Sequence, residues 1–508
     1  MSPHSAGESY DVIVIGTGPI GQTLADRARA AGLSVAAVER ELVGGECSYW
    51  ACVPSKAMLR PVTALADARR VGGAREAVTG PADARAVFAR RDYWVTNWND
   101  DGQANFLKGI GADLFRGHGR LDGPKRVTVE TPDGGTVTLT ARHAVAICTG
   151  SAPVFPELAG LAGARPWTNR QATDTSEVPG RLAVVGGGGV GVEMATAWHG
   201  LGSQLTLLAQ DDGLLPRMEP FVGEIIARAY AEAGIDVRIG ATVTGIRRTG
   251  DGVTLTLEDG GTVEADEVLF ATGRRPLTDD IGLQTIGIEP GSWLAVDDTC
   301  AVLATGDDKW LYALGDVNRH ALLTHQGKYQ ARIAGAVIGA RAAGQPVDSA
   351  PWGPHAVTAD YHAVPQVFFC DPQAGAVGLT AAQAERGGYR TRVVDYDLGS
   401  VSGAALHADG YAGRARMVVD EDRQVILGMT FVGPDVAELL HAATIAIAGE
   451  VPLKRLWHAV PAFPTISEVW LRLLEGYERP AVALAAAAVS LLSKPHEDAM
   501  TNEGSSTR

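Results

Sequence analysis

Tyr10-Asp11-Val12-Ile13-Val14-Ile15-Gly16-Thr17-Gly18-Pro19-Ile20-Gly21 is an apolar run that ends in three spaced glycines. The β-branched run reads as a buried strand. Gly16, Gly18 and Gly21 stand at the spacing of a dinucleotide-binding turn. The first permits a tight turn, the second lets a pyrophosphate approach the backbone, and the third lets a helix pack closely on the strand. A second apolar run, Ser34–Val38, ends in Glu39. A carboxylate about 20 residues past the glycines can hold an adenosine ribose. The same pattern returns at Leu182–Val185, followed by Gly186, Gly188 and Gly191 and then by the run Gln204–Leu208. Two such units in one chain imply two adenine dinucleotides in an α/β fold.

Between the two units lies Gly44-Gly45-Glu46-Cys47-Ser48-Tyr49-Trp50-Ala51-Cys52-Val53-Pro54-Ser55-Lys56. Residues i and i+5 of a regular helix are roughly 8–9 Å apart at Cα. A disulfide needs less than about 7 Å. If Cys47 and Cys52 bond, they cannot share a regular helix. Proline is tolerated in the first helical turn, so Pro54 puts Cys52 at a helix N-terminus and Cys47 on an irregular loop before it. The helix dipole would then favour a thiolate at Cys52, making a dithiol with two unequal sulfurs. The other reading is a pair of structural cysteines that happen to be close.

Composition narrows the function classes. The chain has 508 residues, enough for two to four domains, and 46% apolar residues, ordinary for a globular protein. A net charge of −15 argues against a nucleic-acid partner, which needs a basic face. Five cysteines are too few for a secreted disulfide framework, and Cys148, Cys300 and Cys370 read as buried structural residues. Met1–Ser9 shows no signal peptide, and no run reaches the ~20 apolar residues of a membrane span. A cytoplasmic protein without a membrane partner is expected. The alanine-rich stretch Ala481–Leu492 reads as a C-terminal helix or appendage.

These motifs together resemble the flavoprotein disulfide reductases, the class I pyridine nucleotide-disulfide oxidoreductases that include dihydrolipoamide dehydrogenase, glutathione reductase and mercuric reductase. The resemblance runs from Tyr10 to about Leu474. The redox segment is similar to the family's Gly-Gly-Thr-Cys-x4-Cys-x-Pro-Ser-Lys signature. Thr149-Gly150-Ser151 and Ala271-Thr272-Gly273-Arg274-Arg275-Pro276 resemble its strand-end motifs, and Leu311–Val317 its second flavin motif, with Leu322-Leu323-Thr324-His325 following. Val364–Phe369 and Gly375–Thr380 resemble the start of its dimerisation domain.

The resemblance implies two Rossmann-like domains, for FAD and NAD(P), and a C-terminal α+β dimerisation domain. FAD would occupy residues 1–155 and 290–350, the nicotinamide nucleotide 156–289, and the interface 351–478, with 479–508 a partly disordered extension. Strands are expected at Gln366–Phe369, Tyr389–Tyr396, Arg414–Val419 and Val425–Val432, and an amphipathic helix over Asp435–Ala448. FAD would lie on Gly16–Gly21, Glu39, Gly45, Thr149, Gly150, Gly273, Gly315 and Asp316. NADH or NADPH would lie on Gly186, Gly188 and Gly191. Cys52 would face the flavin and Cys47 the substrate, with Lys56 and Glu193 paired near the ring. The active unit would be a homodimer that reduces a small-molecule electron acceptor.

Three departures qualify this. Where the dithiol-using members carry His-Pro-Thr-x-x-Glu, this chain has Phe463-Pro464-Thr465-Ile466-Ser467-Glu468. Phenylalanine cannot move a proton, and Glu468 has lost the group it would orient. General acid–base help of about 10²–10⁴ would be missing. Mercuric reductases also lack the histidine but carry a C-terminal cysteine pair, and here no cysteine follows Cys370. Second, Tyr49-Trp50-Ala51 precedes Cys52, placing aromatics that either narrow the substrate approach or fill the core. Third, Ala209-Gln210-Asp211-Asp212 ends the second nucleotide strand, with neither the acid that selects NAD nor the arginine that admits NADP. Two classes stay open. One is an NAD(P)H-dependent reductase of a quinone, metal ion or unusual disulfide, or a dihydrolipoamide dehydrogenase-type enzyme. The other is a flavoprotein that senses redox state or binds a partner without turnover.

Overall fold

The computed structural model describes residues 8–250 and 252–478. The expectations for Met1–Gly7, for Ala481–Leu492 and for the 479–508 extension lie outside them.

Strand β1 (Glu8–Ile15) has parallel partners on both edges, and its two faces pack into separate apolar cores, Ile13 and Ile15 in one and Val12 and Val14 in the other. Val12, Ile13 and Val14 are fully buried. The chain turns at Gly16 into α1 (Pro19–Ala30) and returns as β2 (Val35–Glu39), the βαβ unit that the glycines imply. A seven-stranded sheet forms in the order β3 (Asp113–Arg116), β2, β1, β6 (Thr136–Ile147), β5 (Arg126–Glu130), β4 (His118–Leu121), with Leu311–Ala313 also parallel to β6. The second unit builds a parallel four-stranded sheet from Asp236–Ile239, Gln204–Ala209, Arg181–Val185 and Glu267–Phe270, with the helix Gly189–Gly200 following its glycines. The C-terminal region is a five-stranded antiparallel sheet. Its helices Leu440–Ala448 and Val469–Glu478 share one apolar core with it, which includes Met417, Phe431, Ala443 and Leu473. Among the described residues no helix is long and apolar enough to cross a membrane.

Several local expectations change. Cys47 is not on an irregular loop. It sits in a short helix, α2 (Gly45–Tyr49), separate from α3 (Cys52–Arg69). Gly44 and Gly45 take positive φ (121° and 56°) that lets the chain turn sharply into α2, and Trp50 N–H closes it on the Glu46 carbonyl at 2.8 Å. Extended φ at Trp50 and Ala51 then breaks the helix, so the cysteines stand on two helices with different axes. Gln373–Gly378 is a fifth strand that the sequence reading omits. The Asp435–Ala448 helix opens as a 3₁₀ turn over Val436–Leu439, because Asp435 is left-handed (φ 57°), and becomes α-helical only at Leu440. The strand expected from Tyr389 starts at Thr391.

Candidate active site

One cavity of about 1270 Å³ runs between the two nucleotide units. Gly16, Gly18, Glu39, Gly45, Cys47, Cys52, Lys56, Thr149, Gly150 and Asp316 line one part of it, and Gly186, Gly188, Glu193 and Gly273 another. Gly21 and Gly191 lie behind the lining. A Cβ on either would strike the Gly16 or Gly186 carbonyl oxygen at 2.0 and 1.8 Å, so they press helix on strand. Gly18 and Gly188 face open space, where a Cβ would meet nothing within 4 Å. Gly315 (φ 76°) backs onto Ile20. Close packing behind and free space in front form a cradle that a dinucleotide pyrophosphate fits, and the Thr149 hydroxyl beside it is buried without a protein partner. Glu39 is oriented by Thr17, whose N–H and hydroxyl donate to its Oε2 at 2.8 and 2.9 Å. These residues fit FAD and a nicotinamide nucleotide.

The sulfur pair is inequivalent. A hydrogen bond between the sulfurs pushes the Cys47 thiol up, and burial adds to this. The same bond lowers Cys52 to about 6. There the Thr324 hydroxyl and the Lys56 ammonium help, while burial and Glu193 oppose. Cys52 begins α3, so its thiolate also meets the helix N-terminus. Thr324 starts the helix Thr324–Ala342. Its hydroxyl donates to Cys47 Sγ at 3.1 Å and lies 3.4 Å from Cys52 Sγ. Lys56 Nζ contacts Glu193 Oε2 at 2.6 Å and lies 5.2 Å from the centre of the Phe369 ring. The Phe369 N–H donates to Glu193 Oε1 at 3.0 Å.

Asp316 accepts from the Ser151 hydroxyl, which in turn accepts from Arg274 Nε at 2.6 Å. The aromatics between the cysteines divide their roles. Tyr49 fills the core, its hydroxyl accepting from Gln103 at 3.1 Å. Trp50 forms cavity wall, with the Arg170 guanidinium 4.0 Å over its ring. Arg170 also binds Glu46 and Glu41, tying the helix Asn169–Asp174 to the redox turn. At the second nucleotide strand, Gln210 and Asp211 line the cavity and Asp212 does not, while Arg217 returns to it. Asp211 and Arg217 therefore bring opposite charges to that end.

Within one chain the cavity does not include Phe463 or Glu468. Phe463 is 74% exposed. Glu468 is buried, with Oε1 accepting from Arg472 at 2.5 Å and Oε2 without a partner. Sequence reasoning missed Thr324, Arg274, Arg170 and Arg217 as site residues. The first two stood inside quoted motifs, which was the available signal.

The family model for pyridine nucleotide-disulphide oxidoreductases matches residues 10–338, and the model for that family's dimerisation domain matches 364–473. A dihydrolipoyl dehydrogenase from Thermus scotoductus is 32% identical over 484 residues, covering 94% of this chain and 99% of the relative. A mercuric reductase from Staphylococcus aureus is 30% identical, covering 90% of this chain and 81% of the relative. The solved structure of the HOCl-induced flavoprotein disulfide reductase RclA from Escherichia coli has the same fold. Its TM-score is 0.78 at 24% identity, over 92% of this chain and 99% of that one.

Proposed function

Because the chain belongs to the pyridine nucleotide-disulphide oxidoreductase family, we propose that it passes electrons from NADH or NADPH through Cys47 and Cys52 to an acceptor that takes its protons from solvent or needs none, such as a quinone, a metal ion or an unusual small disulfide. The family assignment makes it an oxidoreductase that uses FAD and NAD(P)H. One observation supports the acceptor class: Phe463 stands in the sequence where the family's motif has its histidine, and Glu468 is engaged by Arg472.

When bound, FAD would supply the two-electron chemistry that links a nicotinamide to the Cys47 and Cys52 sulfurs. The protein's residues bind, orient and hold charge. Gly18 would leave room for the flavin nucleotide's pyrophosphate, with Gly16 and Gly45 turning the backbone beside it, and Glu39 would take its ribose. Asp316, fixed by Ser151 and Arg274, would take its ribityl hydroxyls, with Thr149, Gly150 and Gly273 on the walls and Gly315 packed behind on Ile20. Gly186, Gly188 and Gly191 serve the nicotinamide nucleotide. Glu193 holds the Lys56 ammonium where it favours negative charge on Cys52, and where it would favour the anionic reduced ring of a bound flavin. Cys52 keeps the thiolate, and Cys47 meets the acceptor.

The active unit is a homodimer in this reading. Leu406, Val460 and Phe463 are 73%, 83% and 74% exposed within the segment matched as a dimerisation domain. Phe463 would face Cys47 of the second copy and line its approach with an apolar ring.

Relatives named dihydrolipoyl dehydrogenase favour a second reading, oxidation of dihydrolipoamide. Anaerobic titration with NADH and NADPH, followed by steady-state rates with a quinone, Cu(II), glutathione disulfide and lipoamide, separates the two. We expect the quinone or the metal ion to show the highest kcat/KM. Lipoamide leading the panel refutes the proposed acceptor class. A flavin that neither nucleotide reduces refutes turnover altogether.

A further inference from the structure

Two helices begin at the sulfur pair: α3 at Cys52, and the Thr324–Ala342 helix at Thr324. Neither has a side-chain cap at its N-terminus, so the Thr324 hydroxyl is not spent on capping. Its partners are the two sulfurs, at 3.1 Å (Cys47) and 3.4 Å (Cys52). A hydroxyl has one proton and can donate to one of them at a time. A donor bonds a thiolate more strongly than a thiol. Both sulfurs are already within reach, so only the O–H rotor has to turn.

We infer that Thr324 is a positioning residue for the dithiol, donating its hydroxyl proton to whichever of Cys47 and Cys52 carries the negative charge. Two-electron reduction breaks the S–S bond, and one proton from solvent leaves one thiol and one thiolate. Thr324 neither gains nor loses an atom. With the charge on Cys52, the hydroxyl donates to Cys52. The hydroxyl can turn to Cys47 whenever that sulfur carries the charge, at the cost of releasing Cys52. The other charged or polar groups facing the pair are Lys56 on α3 and Glu193 on the Gly189–Gly200 helix, bound to each other at 2.6 Å. His325, next to Thr324, has its Nε2 on the Pro365 carbonyl at 2.8 Å.

The inference rests on the reading of Cys47 and Cys52 as the redox pair, and the test separates the two. In reduced holoenzyme, the long-wavelength thiolate–flavin absorbance is titrated against pH for wild type, Thr324→Val and Thr324→Ser. Iodoacetamide labelling of each cysteine is followed by mass spectrometry over the same range. Thr324→Val should raise the Cys52 midpoint by about one pH unit, the tenfold change in ionisation that a charge-assisted hydrogen bond supplies. Labelling of Cys52 should slow by about tenfold below the midpoint. Thr324→Ser should keep the wild-type midpoint. If the valine variant does not retain flavin, Thr324→Ala is compared with Thr324→Ser in the same way. An unchanged or lowered midpoint in the variant without the hydroxyl, or an equal shift in the serine variant, overturns the inference. Wild type with no thiolate–flavin absorbance at any pH overturns the redox-pair reading instead.

Discussion

Removing the more exposed partner of the Lys56–Glu193 pair should do more damage than removing the buried one. The Lys56 side chain is 36% exposed and Glu193 is 9% exposed. Glu193→Gln keeps the shape. The amide oxygen can still accept from the Phe369 N–H, and its NH₂ then faces the Lys56 ammonium. Lys56 has water available and turns to it, so the cost sits at the low end for a lost charged hydrogen bond, about 1 kcal/mol. Lys56→Met leaves the Glu193 carboxylate buried with one backbone donor and no counter-ion. Stranding a buried charge costs about 3 kcal/mol. The thiol responds in opposite directions. Glu193 raises the Cys52 pKa and Lys56 lowers it, so Glu193→Gln should move the thiolate midpoint below about 6 and Lys56→Met above it. Urea unfolding of the flavin-loaded variants gives the first pair of numbers. Titration of the thiolate–flavin absorbance gives the second. The reasoning fails if Lys56→Met is the milder change, or if both variants shift the midpoint the same way.

Cys52→Ser should abolish the long-wavelength absorbance with flavin still bound, whereas Cys47→Ser should leave it permanently present. The reverse pattern in absorbance spectra would exchange the two roles. Phe463→His should raise turnover of lipoamide or glutathione disulfide by up to the ~10²–10⁴ of general acid–base catalysis, and wild type already at its variant's rate would refute the account of Phe463. The reduced protein should grow more stable with rising pH. Cys52 ionises near 6 when folded against a thiol's usual value near 9, so between those limits the unfolded chain binds more protons; the contribution is complete above about 9 and lost as pH falls through about 6. Cys47, held protonated in the fold, contributes with the opposite sign, but only as pH approaches the unfolded thiol's value near 9. The Tm of reduced wild type minus that of reduced Cys52→Ser should therefore increase from pH 6 to pH 9, and a difference flat with pH would count against a depressed Cys52.

What could be read from the chain depended on how local the cause was. Gly16, Gly18 and Gly21 state their roles within six residues, because the positive φ at Gly16 and the press of Gly21 on the Gly16 carbonyl are local, and the second copy at Gly186–Gly191 repeats them. Cys47 and Cys52 were legible as a pair for the same reason. The helix around Cys47 was not, since it depends on the positive φ at Gly44 and Gly45 together with the break at Trp50. The strand Gln373–Gly378 is built of small residues with little intrinsic preference for extended structure. It owes its state to the pairing with Val425–Gly433, a strand buried along its whole length. Thr324 reaches the sulfurs across 277 and 272 positions of sequence, and Arg170 reaches Glu46 across 124. No spacing rule carries that far. The sequence named Cys47, Cys52, Lys56 and Glu193, and tertiary packing added Thr324 to the groups that act on the Cys52 sulfur. For that reason Phe463 does not by itself mark a dead enzyme: the residues that hold a thiolate at Cys52 belong to other elements and are all in place.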